Sequence, residues 1–178
     1  PVGSRSCYDE SKRIGETICY LESRINNKKV KIIRPFNVFG PGMGFNDYRI
    51  IPNIVRSVVQ GSKLKIYSDG KQTRTYCYVA DALNGFFRVF LDKRKFQIYN
   101  IGNQKNEISL NNLMKLSEKV ISKKIKYHLS PYPKEYPADE PLRRCPDISK
   151  AIKNLKFQPS VDLTEGLNRH FNWAMQNL

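Results

Sequence analysis

An α/β fold is what this sequence predicts, and three observations carry the prediction. Short β-branched or aromatic runs alternate with stretches of helical apolar period along the chain. Its 178 residues suit one domain, or one and a piece, and 40% are apolar, with nine Phe, ten Tyr and one Trp to fill a core. No window approaches the roughly 18 apolar residues of a membrane span. Pro1-Val2-Gly3-Ser4-Arg5-Ser6 also lacks the apolar core of a signal peptide, so a cytoplasmic protein off the membrane is expected.

Element by element, Ile14, Ile18, Leu21 and Ile25 recur at helical spacing, predicting a helix from Cys7 to about Asn26 with this stripe facing the core. Val30–Arg34 reads as a buried strand stopped by Pro35. Pro35 to Asp47, rich in Pro, Gly and Asn, reads as a loop. A helix from about Ile51 to Gln60 follows, with Pro52 in its first turn and Gly61 ending it. Leu64–Tyr67 is a strand entering the turn Ser68-Asp69-Gly70, and Arg74–Tyr78 is another. Then come a helix from Val79 to Leu91, a strand over Gln97–Ile101, and a helix from a Ser109 cap to Ile121. Ile125–Leu129 is a strand, Ser130–Pro146 a Pro-rich loop, and helices near Ile148–Leu155 and Leu163–Asn177 finish the chain.

The charge stands out: 31 basic against 16 acidic residues give +15. A polyanion partner comes to mind, yet the cations are scattered, as Lys28-Lys29, Lys93-Arg94-Lys95 and Lys123-Lys124 show. No RNP, zinc-finger or basic-zipper pattern accompanies them, so solvated faces are expected rather than nucleic acid. Cys7, Cys19, Cys77 and Cys145 form no CxxC, and His128 and His170 stand apart from them and from each other. No metal site is expected; buried structural thiols in a reducing compartment are.

The chemistry gathers in four places. In Tyr8-Asp9-Glu10-Ser11-Lys12, four residues of helix turn about 400°, so Tyr8 and Lys12 share a face. An ammonium beside a phenol favours the phenolate, which can then take a proton from a hydroxyl as hydride leaves the same carbon. Arg34-Pro35-Phe36-Asn37-Val38-Phe39-Gly40 follows a strand directly, where α/β sheets bind ligands, and Asn37 offers both a donor and an acceptor. In the stretch from Tyr67 to Asp81, Arg74 lies among aromatics after a turn and can hold a diphosphate with its fork. Arg143-Arg144 again sets cations before a helix. Gly40, Gly42 and Gly44 do not complete G-x-G-x-x-G, because position 45 is Phe. Each feature alone also fits a solvated pair, a tight turn or surface charge.

In this order and spacing, CYDESKR, RPFNVFGPGM, IYSDGKQTRTYCYVADA, YNIGN and RRCPDISKA resemble the C-terminal part of the extended short-chain dehydrogenase/reductases that act on nucleotide sugars. The likeness runs over nearly the whole chain. It is strongest to the UDP-glucuronate decarboxylase (UDP-xylose synthase) family, for C-Y-D-E-x-K-R at the helix and Q-T-R in the diphosphate loop. The resemblance implies a Rossmann-like fold with a substrate-binding subdomain. Residues 1–34 would end the Rossmann-like domain, 35–178 would be mostly substrate-binding, and 79–103 would return to the Rossmann sheet. It implies Tyr8 as catalytic base, with Lys12 as its partner and holder of the nicotinamide ribose. Val38 and Arg49 would lie against NAD, Asn37 at the sugar nucleotide, and Tyr67 and Arg74 at the diphosphate with Arg144 assisting. A UDP-sugar substrate and a homodimeric parent enzyme are implied as well.

The implied reaction oxidises C4 of the sugar, loses CO₂ from the resulting β-keto acid and re-reduces C4. A 4,6-dehydratase or 4-epimerase shares the first step, and the residues that separate these fates are outside this sequence. A non-catalytic sugar-nucleotide or polyanion-binding module is the rival from another class. The family's glycine-rich phosphate loop, its acidic ribose-reading residue and its catalytic Ser/Thr are missing here, so the chain reads as a fragment. By itself it is expected neither to bind NAD tightly nor to turn over a nucleotide sugar.

Overall fold

Parallel strand pairs organise the computed structural model, which describes residues 3, 6–133 and 141–177. The first pair is β1 (Val30–Pro35) with β6 (Phe96–Ile101), in register from Val30 opposite Phe96 to Pro35 opposite Ile101. Strand side chains alternate between faces. Ile33, Tyr99 and Ile101 meet α3 (Val79–Phe90) and α5 (Ser149–Leu155) in a core with Val89, Ile148, Ala151 and Phe157. The other β1 face turns Arg34 toward Glu16 of α1 (Ser6–Ile25). A buried carboxylate needs hydrogen bonds. Asp81, in the first turn of α3, accepts from the Ser160 and Val161 amides and the Ser160 hydroxyl.

The second and larger core fills the space between β3 (Leu64–Tyr67), which pairs in parallel with β8 (Tyr127–Ser130), and the helices α2 (Ile50–Gln60), α4 (Leu110–Ile121) and α6 (Leu163–Asn177). Ile51, Ile54, Leu113, Met114, Leu167 and Phe171 close it. Above it, β4 (Thr73–Thr75) runs antiparallel to β7 (Glu107–Ser109) and parallel to β9 (Arg143–Arg144). Two-residue strands β2 (Val38–Phe39) and β5 (Cys77–Tyr78) pair in parallel and join this region to the first. The expected caps form: Gly61 ends α2 in the left-handed region at φ 65°, and the Ser109 hydroxyl accepts from the Asn112 amide. Gly40, at φ 151°, abuts the Val79 side chain, where a Cβ would collide.

Some expectations need correction. The stripe on α1 does not face a core among the described residues: Ile14, Ile18, Leu21 and Ile25 are 58%, 56%, 45% and 74% exposed. The opposite side of the helix is the packed one, with Ser23 buried and donating to the Lys28 carbonyl and Tyr20 set edge-on to Phe96. Period tells that a stripe exists, not which neighbour meets it. β1 runs through Pro35 and is half-buried. Arg74–Tyr78 is two short strands rather than one, and the expected loop before Pro146 contains β9, although residues 134–140 of it lie outside the described ones. Only Cys77 of the four free thiols is buried; Cys7 is exposed, and Cys19 and Cys145 are half-buried. Arg94 is not simply solvated, since it pairs with Asp92, donates to the Asn154 carbonyl and covers the Tyr99 ring. Among the described residues, no helix is long and apolar enough to cross a membrane.

Candidate active site

The first turn of α1 sets Tyr8 and Lys12 on one face, as four-residue spacing requires, with the Lys12 Nζ 5.4 Å from the Tyr8 ring centroid. Both line an open cavity of about 700 Å³ between α1 and the C-terminal end of β1, with Asp9, Glu16, Asn37 and Arg144. The chain leaves β1 through Phe36 into Asn37, whose φ of 40° is one that Asn tolerates better than most residues. The Asn37 amide NH₂ donates to the Thr75 carbonyl at 2.8 Å, which leaves its side-chain oxygen to accept from a ligand.

Asn37 also borders a second concavity of about 160 Å³ with Val38, Arg49, Arg74 and Tyr76. Arg49 is forked onto Asp47, with contacts of 3.0 and 2.5 Å, and its Nη1 donates to the Val38 carbonyl at 3.5 Å. That guanidinium holds the Asp47 carboxyl below the usual range, while burial pushes the Tyr76 phenol up and keeps it neutral. Arg74 and Tyr76 in turn border a third cavity of about 290 Å³, lined also by Tyr48, Lys65, Tyr67, Gln72 and Tyr132. There Tyr67 and Tyr132 stack at 5.8 Å and 19°. The buried Gln72 Oε1 accepts nothing, while its Nε2 donates to the Tyr67 carbonyl.

The three hollows form one row. Asn37 is shared by the first and second, Arg74 by the second and third. All eight residues singled out in the sequence line it: Tyr8, Lys12, Asn37 and Arg144 at one end, Val38, Arg49 and Arg74 in the middle, Tyr67 at the other. Arg144 does not share the Tyr67 cavity; it lines the Tyr8 cavity, although its backbone pairs with that of Arg74 between β9 and β4. Next to it, Arg143 forks onto Glu107 with two 2.8 Å bonds, and these with a bond from the Thr73 hydroxyl hold the Glu107 carboxyl at about 2. A row with a phenol–ammonium pair at one end and cations further along suits an elongated, phosphate-bearing ligand. Tyr132 and Glu16 escaped the sequence reading, while Gln72 was seen only as part of Q-T-R. Tyr132 sits in a Pro-rich stretch without period, and only the β3–β8 pairing, Tyr67 opposite Ser130, carries it to Tyr67.

The profile of the NAD dependent epimerase/dehydratase family matches residues 1–102. The chain belongs to this family. It is 35% identical over 178 residues to the UDP-glucuronic acid decarboxylase 1 of Danio rerio, a match that takes in 100% of this chain and 41% of that protein. The chain thus spans well under half the length of this curated relative. Its fold superposes with a TM-score of 0.82 on the UDP-glucuronic acid 4-epimerase of Bacillus cereus in complex with UDP-glucuronic acid and NAD, at 26% identity, covering 92% of this chain and 51% of that one. The dTDP-glucose 4,6-dehydratase DesIV of Streptomyces venezuelae shares the fold, with a TM-score of 0.84 at 24% identity over 96% of this chain and 51% of the other. The α/β architecture is therefore that of the Rossmann-like extended epimerase/dehydratase enzymes.

Proposed function

We propose that this chain is the C-terminal part of an NAD-dependent UDP-glucuronate decarboxylase. The carrying observation is the row of hollows, with a phenol–ammonium pair at one end and Arg74, Tyr76 and the Tyr67–Tyr132 stack lining the other. The decarboxylase relatives support the choice among reactions. Residues 1–34 and 79–103 belong in this reading to the Rossmann sheet, and most of 35–178 to the substrate-binding part. The parallel β1–β6 pair supports that division.

The fit to NAD is partial. Tyr8, Lys12, Val38 and Arg49 would hold its nicotinamide side, and the sequence has no glycine-rich loop for its phosphates. When bound, NAD supplies hydride uptake and return at the sugar carbon. Tyr8, favoured as the phenolate by the neighbouring Lys12 ammonium, takes the C4 hydroxyl proton and becomes the neutral phenol as hydride leaves C4. Asn37 accepts a sugar hydroxyl with its free oxygen, and Arg74 forks onto the diphosphate. Arg144 would assist at the same ligand, and its place in the lining of the Tyr8 cavity supports a role toward the sugar end.

The partner for the α1 stripe, exposed among the described residues, would be the N-terminal half of the same enzyme; the relative's much greater length supports this. The enzyme would be a homodimer in the cytoplasm, where four free cysteines are at home. The test is the complete polypeptide with NAD and UDP-glucuronate. Release of CO₂ with formation of UDP-xylose is expected. Accumulation of the C4 epimer without CO₂ would favour the epimerase reading, which the Bacillus cereus likeness motivates.

A further inference from the structure

Tyr8, Lys12 and Glu16 follow one another at four-residue intervals on α1, so Lys12 has a phenol one turn before it and a carboxylate one turn after it. An ammonium with that choice is drawn to the full charge. Here it is not so placed: Lys12 sits over Tyr8, and Glu16 is occupied by Arg34 of β1. The Arg34 Nε donates to Oε1 at 2.6 Å and its Nη2 donates to Oε2, so both carboxylate oxygens are taken. The pairing holds the Glu16 carboxyl below its usual range, chiefly through the hydrogen bonds from Arg34.

We propose that Arg34 is a positioning residue for the Tyr8–Lys12 pair: by occupying Glu16 it withholds a competing carboxylate and leaves Lys12 to the phenol. The proposal rests on the reading of Tyr8 as the base and adds what keeps that base supplied with its cation. Among the described residues, Asp9 on α1 and Arg144 on β9 are the other charged groups that line the cavity of this pair besides Glu16 and Arg34. Arg34 also fastens α1 to the strand that leads, three residues on, into Asn37, so a loss on mutation needs separating into fastening and charge.

A double substitution separates them. Ionisation of Tyr8 is followed in this chain by ¹³Cζ NMR, with Tyr8→Phe identifying its signal; no cofactor is needed. Arg34→Gln frees Glu16 to draw Lys12 away, and the Tyr8 titration moves up by roughly half a pH unit. Arg34→Lys, which keeps a charge without the fork, gives a smaller rise. Adding Glu16→Gln to Arg34→Gln removes the competitor and returns the titration toward that of the unsubstituted chain, although the fastening is still absent. An unmoved titration in Arg34→Gln, or a double variant displaced as far as the single one, overturns the proposal. In the complete enzyme the acidic limb of kcat should follow the same order, with KM for the nucleotide sugar little changed. Should the titration behave as expected while that limb stays fixed, Arg34 keeps its role and Tyr8 loses its place as the base.

Discussion

The two cores of this molecule are finished to different degrees. Around α2, α4 and α6, apolar residues of every element find one another, and Leu113, Met114 and Leu167 are fully buried. Around β1 and β6, one sheet face is packed by α3 and α5, yet α1 shows its apolar stripe and α3 shows Phe87 and Phe90. The Tyr8–Lys12 pair stands on the less packed side, while Arg74 and Tyr76 stand beside the larger core. The row of hollows thus crosses from a closed core to a region that leaves apolar side chains of α1 and α3 exposed among the described residues. In the proposed reading the nucleotide end would bind on the packed side, and the chemistry would take place on the other.

The largest effect should come from the unfinished side. In the complete enzyme Tyr8→Phe keeps the ring and removes the titrating oxygen, so kcat should fall by about 10²–10⁴-fold with UDP-sugar affinity nearly unchanged, as steady-state and binding measurements can establish. Near-normal kcat would leave Tyr8 as a surface residue of α1.

Next comes a direct comparison of the cores by denaturant unfolding. Leu113→Ala should cost about 2–5 kcal/mol in this chain. Ile18→Ala should stay within about 0.5 kcal/mol in the chain alone and cost distinctly more in the complete protein. Equal losses at both positions in the chain alone would mean that the two regions are equally finished.

Arg74→Ala should weaken UDP binding to the complete enzyme by about 1.5–3 kcal/mol, with only partial recovery in Arg74→Lys. Arg94 is no fair control, being braced by Asp92 and Asn154. Exposed Lys93 is, and Lys93→Ala should bind UDP normally. Calorimetry showing the same affinity in Arg74→Ala and Lys93→Ala would make Arg74 an ordinary surface charge.

The smallest effect concerns pH and the finished core. His170 is buried between Phe39, Phe171 and Trp173, and burial pushes its imidazolium below the ordinary 6.5, against an opposing contribution from the Gly40 backbone. The unfolded chain therefore takes up the proton first, and stability is full above about 6.5 and declines as pH falls below it. His170→Phe should flatten the melting temperature between about pH 7 and pH 5. Glu107 acts lower: its contribution is complete above about 4.5 and is lost as pH falls toward about 2, so Glu107→Gln should flatten that interval instead.

Most of the secondary structure was legible because its causes are local. Pro52 in a first turn, Gly61 after α2 and Ser109 before α4 act within one turn of where they stand. The Glu107–Ser109 and Arg143–Arg144 strands were not, since neither has a period or length of its own. They exist because β4 offers an edge on each side. The α1 stripe was seen and misplaced, because a helical period fixes which residues share a face and leaves open what that face meets.

By itself the sequence determined that Tyr8 and Lys12 share one face of a helix, that a loop rich in Pro, Gly and Asn follows β1, and that Arg74 follows a turn among aromatics. Covalent spacing and backbone geometry are enough for that. Only the tertiary structure decided that Glu16 belongs to Arg34 rather than Lys12, that Tyr132 stacks on Tyr67, and that Arg144 lines the Tyr8 cavity while its backbone pairs with Arg74. Those meetings join residues 18, 65 and about 70 positions apart. They follow from strand pairing and core packing, which depend on the whole chain at once and on no local pattern.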